Sequence, residues 1–218
     1  MNKSTVIIIT IISTVLSVLL IIGSYYGIDR YIYLHMKSPE YFINKYSHLP
    51  KADLKNKTVI SFSTTPEKIN KIKPMINSIL DQTVKVDAIY IVLLNDKHYN
   101  IPKYINQVAT TVLAGKDYGG GTKIIPILLK EKECDTTIIA MNDNVVYGQD
   151  FVFTMIEELK KNPGVVLMDK KGDVMLVKPE YFGCDVINRE KEDFDNNWFL
   201  DKSKNNKIIE YNENYKII

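Results

Sequence analysis

Asp135-Thr-Thr-Ile-Ile-Ala-Met-Asn-Asp-Asn-Val-Val-Tyr147 decides how this chain folds. Its first half is a short, uninterrupted apolar run bounded by polar residues. That pattern predicts a strand buried on both faces, over Thr136–Met141, rather than the alternating strand of a half-exposed sheet. The run stops at three oxygen-bearing side chains, Asn142, Asp143 and Asn144. Polar groups at the carboxyl end of a buried strand stand where open α/β sheets bind ligands. The same three residues also suit a plain turn, because Asn and Asp readily reverse a chain.

Upstream, Thr58–Phe62 and Ala88–Leu93 repeat the signature of a buried strand, and Val108–Leu113 is a fourth candidate. Thr65-Pro66-Glu67 reads as a helix start, with Thr as N-cap and Pro in the first turn. Ile69, Ile72, Met75, Ile76, Ile79 and Leu80 then recur at helical spacing, with Pro74 as a kink or break inside the pattern. Gly119-Gly120-Gly121 breaks the chain before a helix over Lys123–Leu129. A helix over Asp150–Asn162 closes at Pro163-Gly164. Val165–Met168 and Val174–Val177 suit a hairpin, and a last strand is expected near Lys207–Tyr211. Alternating strands and helices predict an α/β fold: a mostly parallel sheet covered by helices, Rossmann-like. Right-handed crossovers bring Ser63–Thr65, Gly119–Thr122 and Asn142–Asn144 to one edge of that sheet.

The chain has 218 residues, 45% hydrophobic and 25% charged, with a net charge of +2. The size suits one globular domain after a leading segment. The near-neutral charge, with no basic stripe, argues against a nucleic-acid partner. Two cysteines, Cys134 and Cys184, and three scattered histidines give no zinc-ligand spacing. The two cysteines are read as buried free thiols, with a disulfide as the alternative.

Ser4–Ile28 carries no charge, and Val6–Ile22 is aliphatic apart from hydroxyl residues. About 20 such residues span a bilayer as a helix. The run exceeds a typical signal-peptide core and ends in Ile21-Ile22 where small residues would mark a cleavage site. Tyr25, Tyr26, Tyr31 and Tyr33 supply an aromatic belt. Residues 1–28 are therefore read as a transmembrane signal-anchor, contacting lipid through residues 5–27. Residues 29–56 are read as a stalk and 57–218 as the globular domain. Charges flanking the anchor do not fix its orientation.

Three segments, in order, carry a resemblance. They are Val59-Ile-Ser-Phe-Ser-Thr-Thr-Pro-Glu-Lys-Ile69, Lys116-Asp-Tyr-Gly-Gly-Gly-Thr-Lys-Ile-Ile-Pro126 and Thr137-Ile-Ile-Ala-Met-Asn-Asp-Asn-Val-Val-Tyr147. Together, over roughly residues 57–180, they resemble small GT-A type (family 2-like) glycosyltransferases, which large DNA viruses also encode. The resemblance implies a membrane-anchored transferase moving a sugar from a nucleotide-diphosphate donor to a glycan, protein or lipid acceptor. It also implies a single-pass type II protein with its domain on the lumenal side. On it, Ser63, Thr64 and Thr65 would hold the nucleoside, with Lys68 and Lys123 as further donor-binding residues. Asp143, flanked by Asn142 and Asn144, would hold Mn²⁺ or Mg²⁺. Asp195 or Asp193, within Glu192-Asp-Phe-Asp-Asn-Asn-Trp198, would be the catalytic base.

The departure lies in the triplet. The family typically carries three carboxylates where this chain has Asn-Asp-Asn. Hard cations prefer carboxylate oxygens, so losing two negative charges weakens or abolishes metal binding. The alternative reading is thus a catalytically inactive, glycosyltransferase-like binding or scaffolding protein.

Overall fold

The computed structural model describes residues 2–25, 28–131, 133–169 and 172–182. The expected last strand, Trp198, Cys184, Asp193 and Asp195 lie outside them. At the amino end, α1 (Lys3–Tyr25) is a 23-residue helix. At 1.5 Å per residue it is about 34 Å long, enough to cross a hydrocarbon core. It is long and apolar enough to span a membrane, and the protein buries none of its apolar window.

Two short helices follow, α2 (Ile28–Met36) and α3 (Pro39–Ser47). They differ from the stalk expected over residues 29–56. Both pack onto the globular domain, with Leu34 and Phe42 fully buried in its core. An ion-pair cluster adds to this. Asp81, itself inaccessible to solvent, accepts hydrogen bonds from Arg30 (2.7 Å), Lys45 (2.5 Å) and Gln149 (3.0 Å). Arg30 also donates to the Tyr147 carbonyl at 2.9 Å. A carboxylate is tolerated at this depth because two cations and an amide replace the water it loses.

Six strands form the sheet: β1 (Thr58–Ser63), β2 (Ala88–Leu94), β3 (Thr110–Ala114), β4 (Thr137–Met141), β5 (Leu167–Met168) and β6 (Val174–Val177). Their spatial order is β3-β2-β1-β4-β6-β5. The β1–β2, β1–β4 and β2–β3 pairs are parallel; β4–β6 and β5–β6 are antiparallel. The sheet is therefore mixed: its β3-β2-β1-β4 part is parallel, as expected, and the antiparallel pairs come with β6. The hairpin expected after residue 165 does form, but it joins the main sheet beside β4 and so inserts two antiparallel pairs.

The remaining helices are α4 (Lys73–Leu80), α5 (Lys103–Val108), α6 (Ile125–Lys130) and α7 (Phe151–Lys161). Strand residues alternate between two cores. Ile60, Phe62, Ile139 and Met141 face one, with α2, α3, α4, α5 and α7; Val59, Ile138 and Ala140 face the other, with α6. Each fully buried aliphatic or aromatic side chain stabilises the fold by about 1.5–3 kcal/mol before entropy is counted.

Helix α4 begins at Lys73, not at Thr65. Thr65 accepts from the N–H groups of Lys68 and Ile69, but the chain makes only a turn there before Pro74 opens the helix proper. Proline fits the first turn, where its missing N–H has no partner to lose. Cys134 is exposed, contrary to the buried thiol expected.

Candidate functional site

The strand order sets the position of the site. Successive crossovers carry the chain from β1 outward to β2 and β3, and the next strand, β4, returns to the other side of β1. The crevice between the carboxyl ends of β1 and β4 is thus the point where the winding direction reverses. Loops leaving in opposite directions open a cavity at such a point. A cleft of about 270 Å³ lies there. Ser63, Thr64, Thr65 and Lys68 line it after β1, Asn142 and Asp143 after β4, and Gly119, Gly120, Thr122 and Lys123 from a 3₁₀ turn (Gly119–Lys123).

Asp143 is the focus. The Thr64 hydroxyl donates to its Oδ2 at 2.7 Å, and Lys68 Nζ stands 3.7 Å from Oδ1. The carboxylate is largely enclosed, whereas the Lys68 side chain is half exposed and free to swing toward a ligand. Lys123 is its opposite, only 4% exposed. Its ammonium donates to Asn142 Oδ1 at 2.6 Å and reaches the Asp173 carbonyl at 3.4 Å. Burial pulls its pKa down to about 8, against the raising effect of Asp173, Asp169 and Asp143. Desolvation disfavours the charged amine, and the three carboxylates keep it from falling further.

The turns around these residues are tightly tied. Asn142 N–H donates to the Tyr147 hydroxyl at 3.0 Å, and that hydroxyl donates back to the Asn142 carbonyl at 3.1 Å. Tyr147, fully buried, thereby closes the loop after β4 into a ring. On the glycine side, Asp117 Oδ1 accepts from Gly119 N–H and from the Thr122 hydroxyl. Gly119 has φ 60°, a left-handed conformation that a glycine takes at little cost. The Ser61 hydroxyl donates to the Lys123 carbonyl and fixes the 3₁₀ turn against β1.

Three further cleft residues, and one neighbour of Asn142, escaped the sequence reading. Lys97 and Tyr99 come from the loop after β2, and Asp117 from the loop after β3. Asp173 accepts from the Asn142 side-chain amide. It arrives because Val174 pairs with Met141, so the residue before β6 lies beside the residue after β4. That register has no signal in the sequence. Asn144 is exposed and lies outside the cleft lining.

The donor set offers a divalent cation little. Among the described residues, no three His, Cys, Asp or Glu side chains come together. Asp143 is the sole triplet carboxylate. The Asn142 oxygen is taken by Lys123, and two ammonium groups flank the position a cation would occupy. These residues do not fit a resident Mn²⁺ or Mg²⁺. A cleft with Lys68, Lys97 and Lys123 around hydroxyls and glycine backbone suits an anion instead.

Comparison with known proteins adds little to this geometry. No family model matches the chain, and no curated protein matches it. Among solved structures, a Bacillus anthracis protein assigned as a glucose-1-phosphate thymidylyltransferase, crystallised with sucrose, is similar at 14% identity and a TM-score of 0.41. The match covers 72% of this chain and 87% of that one. A likeness at this level carries no weight for function.

Proposed function

We propose that the chain is a membrane-anchored glycosyltransferase whose cleft binds a nucleotide-diphosphate sugar, with lysine ammonium groups neutralising the diphosphate. The observation that carries the reading is the convergence, at the reversal point of the sheet, of all three motif segments: Thr64 on Asp143, Lys68 beside it, and Lys123 on Asn142. Lys68 and Lys97, both exposed, close on the phosphates, and Lys123 sets the positive potential beneath them. Ser63, Thr64 and Thr65 offer hydroxyls to the nucleoside. Asp143 accepts hydrogen bonds from donor hydroxyls and holds Thr64 and Lys68 in place.

In the transfer itself, the acceptor oxygen bonds to the anomeric carbon as the bond from that carbon to the diphosphate breaks. The acceptor proton passes to a carboxylate, for which Asp193 and Asp195 are the candidates, and the nucleoside diphosphate leaves. Negative charge grows on the leaving group, and preorganised ammonium groups stabilise it there. Anchorage through α1 and a type II, lumenal placement complete the proposal.

One observation favours the second reading, a binding protein without turnover. Asn142 is closed between Lys123 and Asp173, and one carboxylate remains where the resembling enzymes hold three. Release of nucleoside diphosphate from a panel of nucleotide sugars decides between the two. Turnover lost in Asp143→Asn supports the transferase; saturable binding without release in any condition supports the silent relative.

A further inference from the structure

Helix α2 has two faces. Arg30 and Leu34 point into the domain: Leu34 is fully buried, and Arg30 bonds Asp81 and Tyr147. Ile28, Ile32 and Met36, spaced four residues apart, form a stripe on the other side and are 45%, 49% and 77% exposed. Spacing of four keeps side chains on one helix face. Tyr41, 49% exposed, follows at the start of α3, with the Lys37 ammonium 5.3 Å from its ring centre. An apolar stripe edged by an aromatic ring and a lysine is the composition of a helix lying in a membrane interface.

The position along the chain supplies the occupant. α1 ends at Tyr25 and α2 begins at Ile28. Three residue steps span at most about 11 Å, so if α1 crosses a bilayer, the start of α2 stays at the headgroup level. We propose that α2 lies in the bilayer interface, with Ile28, Ile32 and Met36 seated among the outer acyl-chain segments. This inference rests on α1 being a membrane span. Asp29, Arg30, Lys37 and Glu40 balance in charge, so the seating is apolar and does not require anionic lipid.

The consequence is an orientation. Arg30, near the start of α2, bonds Asp81 just beyond the end of α4, and the His35 carbonyl near its end accepts from Lys73 at the start of α4. α2 therefore runs antiparallel to α4. α4 in turn returns from β1 toward the parallel strand β2, so α2 points the same way as the strands. With α2 in the membrane plane, the cleft at the strand carboxyl ends opens along the bilayer surface rather than away from it.

The test is depth-dependent quenching on the full chain in phosphatidylcholine vesicles, in a Cys134→Ser, Cys184→Ser background. Single cysteines labelled with an environment-sensitive dye are placed by Leu16→Cys in the span, and by Ile32→Cys and Met36→Cys on the stripe. Leu129→Cys, 45% exposed on the opposite face of the sheet, is the matched control. The expected result has three parts. Leu16→Cys is quenched by lipids spin-labelled at the chain end. Ile32→Cys and Met36→Cys are quenched best by lipids labelled near the headgroup, with at least about twofold lower iodide quenching than Leu129→Cys. Neither changes when phosphatidylserine is added. Deep quenching at Leu16→Cys with full iodide access at both stripe positions overturns the proposal and keeps the anchor. Iodide access at Leu16→Cys removes the anchor and the proposal together. Stripe positions shielded from iodide but not quenched by either lipid point to a second copy of the chain and also overturn it.

Discussion

Raising the pH from 7 to 9 should weaken nucleotide binding about tenfold, through Lys123. Burial holds this ammonium's pKa at about 8 in the free protein, well below the ordinary lysine value. The group is charged below that pH and neutral above it, so its attraction for phosphate is present at pH 7 and lost on the way to pH 9. If only the charged form contributes, the charged fraction falls about tenfold between those two values, equivalent to about 1.4 kcal/mol of binding free energy. The assay is calorimetric titration of UDP into the full chain in detergent with a chelator present, at half-unit pH steps. Lys123→Gln should bind more weakly at pH 7 and show a flat profile. A profile that is flat in the natural chain, or one that falls equally in Lys123→Gln, refutes the reasoning.

Other perturbations test the supports of the site. Phe42→Ala should lower unfolding free energy by about 3–5 kcal/mol in denaturant titrations, because Phe42 is fully buried and α3 is part of the domain. Asp81→Ala leaves Arg30 and Lys45 without their shared carboxylate, and should cost about 2–3 kcal/mol by the same measurement, less than a fully buried pair because both cations are partly exposed. Tyr147→Phe removes the hydroxyl that closes the Asn142 loop, at a cost of about 1–2 kcal/mol in stability, with weaker UDP binding. Asn142→Asp places a second triplet carboxylate beside Lys123; Mn²⁺ affinity, read by electron paramagnetic resonance, should rise from undetectable.

The central strands were legible because their chemistry is unambiguous. A run such as Thr137–Met141, buried along its whole length, has no other place than mid-sheet. The meeting of Ser63–Thr65, the Gly119–Thr122 loop and Asn142–Asp143 at one edge of the sheet followed from the handedness of parallel crossovers. What escaped the sequence depended on tertiary contacts. α2 and α3 have nine residues each and are rich in Tyr and charge; each sends one fully buried anchor, Leu34 or Phe42, into the core, and the apolar stripe of α2 faces away from it. Thr65-Pro66 imitated a helix start, and the competing signal at Pro74 won. Asp173 entered the site only through the antiparallel register of β6 on β4, which hydrophobic patterning does not encode.

The central claim is that this cleft holds a nucleoside diphosphate by its lysines rather than by a resident cation. The measurement that meets it most directly is calorimetry of the full chain with UDP, GDP and ADP, each in chelator and in Mn²⁺. The expected result is saturable binding of at least one of them that survives chelation, and that Lys68→Ala and Lys123→Gln each weaken. Absence of binding to all three, or binding that vanishes in chelator and is indifferent to both lysine substitutions, would contradict it.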